Sequence, residues 1–255
     1  MGKMPVLFVG HGSPMNAIED NVFSTRWKSI AAEIPQPKAI LAVSAHWFSH
    51  GFRVCDTAQP RLIYDMYGFP KALYEVLYPV KGAPDFAAEV LKLGGGTISA
   101  DNSWGIDHGA WSVLCRMYPA ADVPVFQVSV SRDDDARAHF DIGKQLAALR
   151  AEGVLIFASG NVVHNLARVD WDLDGGYDWA EEFDGTVKNA ILRLDFDAVV
   201  HAQTISDAFA KAVPTPDHFL PLVTALGAAD AQDEVQVFNN ACTMGSLSMT
   251  SYLFR

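Results

Sequence analysis

The sequence predicts an α/β fold: one domain over residues 1–255, with a central mixed, largely parallel sheet covered by helices on both faces. Three observations lead there. Short apolar runs such as PVLFVG, AILAVSA and VLIFASG alternate with amphipathic stretches, and strands that are apolar throughout are those buried on both faces. The chain has 255 residues, 50% hydrophobic and 19% charged, which is enough for one large core and short for two. No internal repeat or low-complexity tract divides it.

The elements follow in chain order. Runs at 6–9, 40–45, 125–130 and 154–158 are too short for buried helices and rich in Val, Ile, Leu and Phe, so they are predicted strands. Between them the pattern predicts helices around 25–33, 84–93, 109–118 and 134–150, with a short strand near 97–99 after the turn signal GGG at 94–96. Further helices are expected near 179–194, 206–212 and 216–226, and a last β segment from 235. The stretch 51–82 is rich in Pro, Gly, Tyr and Phe. It is too long for a simple connection and too aromatic for a flexible linker, so it is expected to pack as a loop with short helices lining a site.

Composition narrows the partners. The net charge of −11 is not gathered into a basic cluster, which argues against nucleic acid or an anionic membrane and for a small molecule. Cys55, Cys115 and Cys242 are odd in number and far apart, as expected of a reducing compartment without a disulfide framework. The N-terminal MGKMPVLFVGHG has too short an apolar run for a signal peptide, and no stretch approaches the ~20 apolar residues of a membrane span. The expected location is the cytoplasm.

Four histidines carry the functional signal. His11, His46, His164 and His218 lie in VGHGSPMN, VSAHWF, ASGNVVHN and TPDHFLP, each at a predicted strand end or on a helix facing one. Ligands of open α/β sheets bind outside the carboxyl ends of the strands. Imidazole is the commonest metal ligand and titrates near neutrality. Each of the four taken alone is more often a hydrogen-bonded structural residue, and no HExxH or paired CxxC is present. Their repeated placement points to a metalloenzyme with one divalent ion.

The segments VGHGSPMNAIEDN, VSAHWF, GFPKALYEVLYP, WGIDHGAWSVLCRMYP, ASGNVVHNL, PTPDHFLPLVTALGA and MGSLSM closely resemble the class III extradiol ring-cleaving dioxygenases, in particular the DOPA 4,5-dioxygenase-like branch. The likeness runs in the same order from near residue 5 to near residue 250. It implies a mononuclear metal at one end of the sheet, held by His11, His46 and His218. It implies His164 as the acid/base, and as a fourth metal ligand only without substrate, with His108 as a second catalytic histidine that contacts substrate. The implied reactants are a small aromatic diol and O2, both atoms of which enter the product. The best-known class III members use two histidines and a carboxylate, the facial triad of non-haem Fe(II), whereas His218 stands at the third position here. Three neutral imidazoles look like a zinc site of the carbonic anhydrase kind. The expectation is therefore Zn2+ in purified protein and Fe2+ for turnover. Asp217 is expected to point away, since neighbours on a helix are about 100° apart around it.

Other residues have two readings. Asp107 is a helix cap or a functional neighbour of His108. Ser13, lacking a GxSxG elbow, reads as a turn or cap residue. Asn161 and Asn165 either fix the tautomer of His164 or cap turns. Trp47, Phe48, Phe69 and Trp104 wall an aromatic pocket or pack the core. His50, His139 and His201 are expected at the surface. Two other function classes stay open, a zinc hydrolase with His164 as base and a non-enzymatic binding protein on the same fold.

Overall fold

The computed structural model describes residues 2–255, so Met1 of the expected 1–255 unit lies outside the described residues. The first half runs β1 (Val6–Gly10), α1 (Val22–Glu33), β2 (Ala39–Ser49), β3 (Phe52–Val54), α2 (Lys71–Tyr74), α3 (Pro84–Leu93), β4 (Ile98–Ala100) and α4 (His108–Met117). It continues with β5 (Val125–Ser131), α5 (Ala136–Leu146), β6 (Val154–Gly160), α6 (Asp178–Leu192), α7 (Phe196–Val200), α8 (Phe209–Ala212) and α9 (Leu220–Ala228). The chain closes with β7 (Val235–Phe238), β8 (Cys242–Thr243), β9 (Leu247–Ser248) and β10 (Ser251–Phe254).

Eight strands form one sheet in the order β4-β3-β5-β2-β6-β1-β10-β7, and β8 pairs with β9 apart from it. The central strands β5, β2, β6 and β1 are mutually parallel, while β3 and β10 run antiparallel to their inner neighbours. The expected mixed, largely parallel sheet is what forms. Every residue of β1, β5 and β6 is buried, because helices cover both faces. Val6, Phe8, Leu41, Val43, Ile156 and Ala158 share one core with α3 and α5 to α9. Leu7, Val9, Ile40, Ala42, Leu155 and Phe157 share the other with α1, α2 and α4. Successive side chains of a strand point to opposite faces, so each apolar strand feeds both cores.

Helix starts follow local chemistry. Asn21 accepts from the backbone of Phe23 and Ser24 while the Ser24 hydroxyl accepts from the Asn21 N–H, a reciprocal cap on α1. Asp107, Asp135 and Asp195 cap α4, α5 and α7. Leu194, at φ 59°, ends the helical path after α6, so α7 is a separate element. The 51–82 stretch holds the short helix α2 but also β3, whose three residues are too few to show a strand period.

The expected surface position of one histidine is not what forms. His139 is fully buried, not at the surface. Its Nδ1–H donates to the Asp135 carbonyl at 2.7 Å, and its Nε2 accepts from the Ser131 N–H at 3.2 Å, joining α5 to the end of β5. The polar flanks RDDDARAH suggested exposure, but they belong to the helix start and its cap. Burial holds the imidazole below its ordinary pKa despite the Asp135 carbonyl. The unfolded chain therefore binds this proton first as pH falls through about 6.5, and the folded state loses stability between there and its own lower pKa. His139→Gln should remove up to about 1.4 kcal/mol per pH unit from the slope of unfolding free energy in that window. Urea unfolding at pH 7 and at pH 5.5 measures it; identical slopes for both proteins would contradict the assignment.

Candidate metal centre

The adjacent parallel strands β1, β6 and β2 bring three of the four histidines together at the carboxyl-terminal end of the sheet's centre. His11 directly follows β1 and His164 lies four residues after β6. His46 sits inside β2, where the register against β5 shifts between Val43 and Phe48. The fourth, His218, lies in the turn before α9, and its carbonyl accepts from the Asn161 N–H at 2.9 Å. That approach requires glycine at 160, since a Cβ there would lie 2.2 Å from the same carbonyl oxygen.

Hydrogen bonds fix the direction of each ring. Ser159 donates its only hydroxyl proton to the Gly109 carbonyl at 2.6 Å, so at 3.0 Å it accepts from His11 Nδ1–H. His46 Nδ1 lies 3.0 Å from Asp65 Oδ2, and His218 Nδ1 2.5 Å from Asp217 Oδ2. All three Nδ1 atoms thus donate outward, leaving the Nε2 lone pairs turned inward. The Nε2 atoms of His11 and His46 are 3.2 Å apart, and the buried His218 Nε2 has no protein partner. Ligand atoms of His11, His46 and His218 lie within 4.8 Å of one another. Two nitrogens held tetrahedrally at 2.0–2.1 Å on one metal would be about 3.3 Å apart. The donor set fits a small divalent cation.

A second group, His46, Asp65 and His108, also brings ligand atoms together, but hydrogen bonds account for it. Asp65 Oδ1 accepts from the His108 ring Nδ1 at 2.9 Å and from its backbone N–H at 3.0 Å, while Oδ2 takes His46. Asp65 therefore orients two histidines at once. Burial works against its charge, yet the bonds from His108 and His46 hold its carboxyl well below the usual carboxylate range. Burial, with the neighbouring imidazoles, pushes His11 and His218 well below the ordinary histidine pKa. His46 is raised instead, because its bond to Asp65 and the charges of Asp107, Asp65 and Asp217 outweigh burial.

His164 belongs to neither converging group. Its ring stacks on His218, centroids 3.5 Å apart and planes 5° from parallel. Burial lowers its pKa to about 4, with Asp217 opposing, so the ring is neutral at pH 7. The five histidines face a cavity of about 370 Å³ whose outer wall includes Met66, Tyr67, Phe69, Leu166, Trp171 and Leu247.

The family model described as "Catalytic LigB subunit of aromatic ring-opening dioxygenase" matches residues 5–255. The chain belongs to that family. This LigB-family protein is 42% identical to "4,5-DOPA dioxygenase extradiol" of Escherichia coli K12 over 98% of this chain and 94% of that one. It is 36% identical to the protein of the same name from Beta vulgaris, over 97% of this chain and 95% of that one. The crystal structure of an uncharacterized protein from Escherichia coli K12 superposes with a TM-score of 0.87 at 39% identity, covering 99% of this chain and all of that one. The class III extradiol resemblance read from the motifs thus holds, and the chain is an oxidoreductase of the aromatic ring-opening dioxygenase type. A purely binding role is set aside.

Several side-chain expectations change within this LigB-family site. Asp217 does not point away: 217 and 218 lie in a turn rather than a helix, and the carboxylate holds His218. Asn161 and Asn165 do not reach the His164 ring; they donate to the carbonyls of Ser248 and Lys211 and pin the loop. Of the four aromatics with a wall or a core reading, Phe69 takes the wall. Trp47 is buried and Phe48 packs against a core. Trp104 donates to Asp107, which also caps α4 and accepts from Ser44 and Gln127. Ser13 caps the turn at Pro14–Ala17 as expected. His50 and His201 are exposed, as expected.

Sequence reasoning missed Asp65 and, apart from Phe69, the outer wall. The available signal was the aromatic 51–82 stretch, read as site-lining with Phe69 as the one residue in it singled out. Among the described residues no helix is long and apolar enough to cross a membrane. The packing of Gly160 gives a direct test. Gly160→Ala should destabilise by about 1–3 kcal/mol through overpacking against His218, whereas Gly185→Ala, inside α6 with open space around it, should stabilise by about 0.5–1 kcal/mol. Equal thermal shifts in the two variants would mean that the Gly160 contact does not constrain His218.

Proposed function

We propose that this LigB-family chain binds one divalent metal ion through His11, His46 and His218 and opens a substituted, DOPA-like catechol beside its diol, incorporating both atoms of O2. The observation carrying the metal assignment is the set of inward Nε2 lone pairs, one of them buried without a partner. A buried acceptor facing other acceptors is costly unless a cation joins them. When bound, the metal would supply the positive charge that lowers the catechol's hydroxyl pKa and a centre at which diol and dioxygen meet. Three protein ligands leave coordination positions for both. The curated relatives named 4,5-DOPA dioxygenase extradiol support the substrate class.

The chain's own residues manage the protons. His164, neutral and lining the cavity beside His218, accepts a proton from a catechol hydroxyl and returns it to the product oxygen, as a general acid-base group does. His108 has its Nδ1 held by Asp65, so its Nε2 is the atom offered to a substrate oxygen. Asp65 keeps His108 and His46 in fixed relative orientation, and Asp217 and Ser159 do the same for His218 and His11.

Ligand, base and orienting residue fail differently. His46→Ala should lose bound metal. His164→Ala should retain it while turnover falls about 10²–10⁴-fold, and Asp65→Asn should weaken metal binding by about 10–100-fold. Elemental analysis and oxygen uptake on the three variants decide this; equal metal loss in His46→Ala and His164→Ala would make His164 a ligand.

Affinity at a nitrogen-rich site favours zinc over Fe(II), yet zinc has no redox chemistry to link a closed-shell catecholate to dioxygen. We therefore expect zinc-loaded protein to bind 4-substituted catechols without consuming oxygen. Anaerobic loading with Fe(II) should restore one-to-one consumption of catechol and O2 with a yellow ring-opened product. Inertness of the Fe(II) form toward every catechol, together with amide or ester hydrolysis by the zinc form, would replace this reading with a zinc hydrolase.

A further inference from the structure

The catechol end of a substrate is accounted for by the histidines, whereas its side chain must extend toward the outer part of the same cavity. There the structure leaves large apolar groups in solvent: Tyr67 is 92% exposed, Trp171 71% and Leu166 60%, and all three line the cavity. Exposed apolar groups clustered at a cavity rim mark a binding surface. The charges around them are one-sided. Among the described residues no Lys or Arg lines the cavity, and the one carboxylate that does, Asp65, is held by His46 and His108. The segment 166–178, which carries Leu166 and Trp171, holds Asp170, Asp172, Asp174 and Asp178 against the single cation Arg168. Lys71, the next cation along the chain from Tyr67, does not line the cavity and is paired to Glu75 at 2.9 Å.

Resting on the dioxygenase reading above, we propose that the rim formed by Tyr67, Leu166 and Trp171 recognises the ammonium end of the substrate's side chain and supplies no partner for a carboxylate. An ammonium is attracted to the faces of indole and phenol rings and to the aspartates flanking Trp171. A carboxylate at the same place finds no cation and faces like charge. Of the two charged groups on a DOPA-like side chain, the amine is thus the specificity element. A catechol with an aminoethyl chain is a better ligand than one with a carboxyethyl chain of similar length.

The test uses three catechols differing only in that chain: 3,4-dihydroxyphenylalanine, its decarboxylated amine and its deaminated acid. Equilibrium binding to metal-loaded protein without oxygen, followed by Trp fluorescence, gives affinities independent of turnover, and oxygen uptake with the Fe(II) form gives kcat/KM. The amine should bind at least as well as the amino acid and exceed the deaminated acid by about tenfold or more. That margin should narrow at high salt. Leu166→Arg, a change at an exposed position, should raise affinity for the deaminated acid, lower it for the amine and erase the ratio. A deaminated acid that binds as well as the amine, an unchanged ratio in Leu166→Arg, or no binding of any of the three would overturn the proposal. Binding in the expected order without oxygen uptake would leave this recognition standing and count against the dioxygenase reading alone.

Discussion

Imidazole lone pairs turned toward one another repel, and the centre of this protein is built on that conflict. His11 and His46 approach to 3.2 Å through Nε2 atoms that cannot both accept, because each Nδ1–H is already engaged by Ser159 or Asp65. His218 adds a third nitrogen, buried without a partner and locked by Asp217. Left to themselves such groups would rotate, take up a proton or separate. Rotation and separation are opposed by the hydrogen bonds and the sheet: β1 and β2 flank β6, and the His218 backbone is drawn against Gly160 at the end of β6, while the raised pKa of His46 marks where a proton goes when no cation is bound. A cation at the centre turns the same arrangement from unfavourable to favourable. Local violation of good packing chemistry, held in place by a well-packed core, is where function is expected.

The placement of the histidines was legible because it follows from topology. Apolar runs buried on both faces announce parallel strands, and residues just past their carboxyl ends gather at one end of the sheet, as His11 and His164 do. His46 was legible for a slightly wrong reason. It lies not past the end of β2 but within an eleven-residue strand whose register slips around it, and no sequence period records such a slip. Asp217 was misjudged because a helical geometry was assumed where the chain turns. His139 was misjudged because its polar neighbours cap a helix instead of facing solvent with it. Asp65 lay beyond reach for another reason: its role depends on two histidines 19 residues before and 43 after it, brought together only by the fold. Pairings of that kind carry no local spacing.

The site has an inner and an outer half built from different material. The inner half stands on strand ends and helix caps, where main-chain hydrogen bonds leave little freedom. Gly109 illustrates the tightness, since a Cβ there would fall 2.5 Å from the Ser44 hydroxyl and 2.8 Å from the His46 ring. The outer half comes from three connections: the 51–82 stretch with Met66 and Tyr67, the segment after β6 with Leu166 and Trp171, and the β8–β9 hairpin with Met244 and Leu247. Connections vary more freely than the elements they join.

This division bears on what family membership says about the chain. A likeness of 42% to a relative named 4,5-DOPA dioxygenase extradiol, spread over 98% of the chain, supports the ring chemistry proposed for the inner half. It speaks less to the outer half, where exchanging one exposed side chain costs the fold little and changes what the substituent meets. Ring opening and side-chain choice are therefore separable properties of the same cavity. The first rests on a buried arrangement of nitrogens held by Ser159, Asp65 and Asp217. In the proposed recognition the second falls to Tyr67, Leu166 and Trp171, which the fold leaves in solvent.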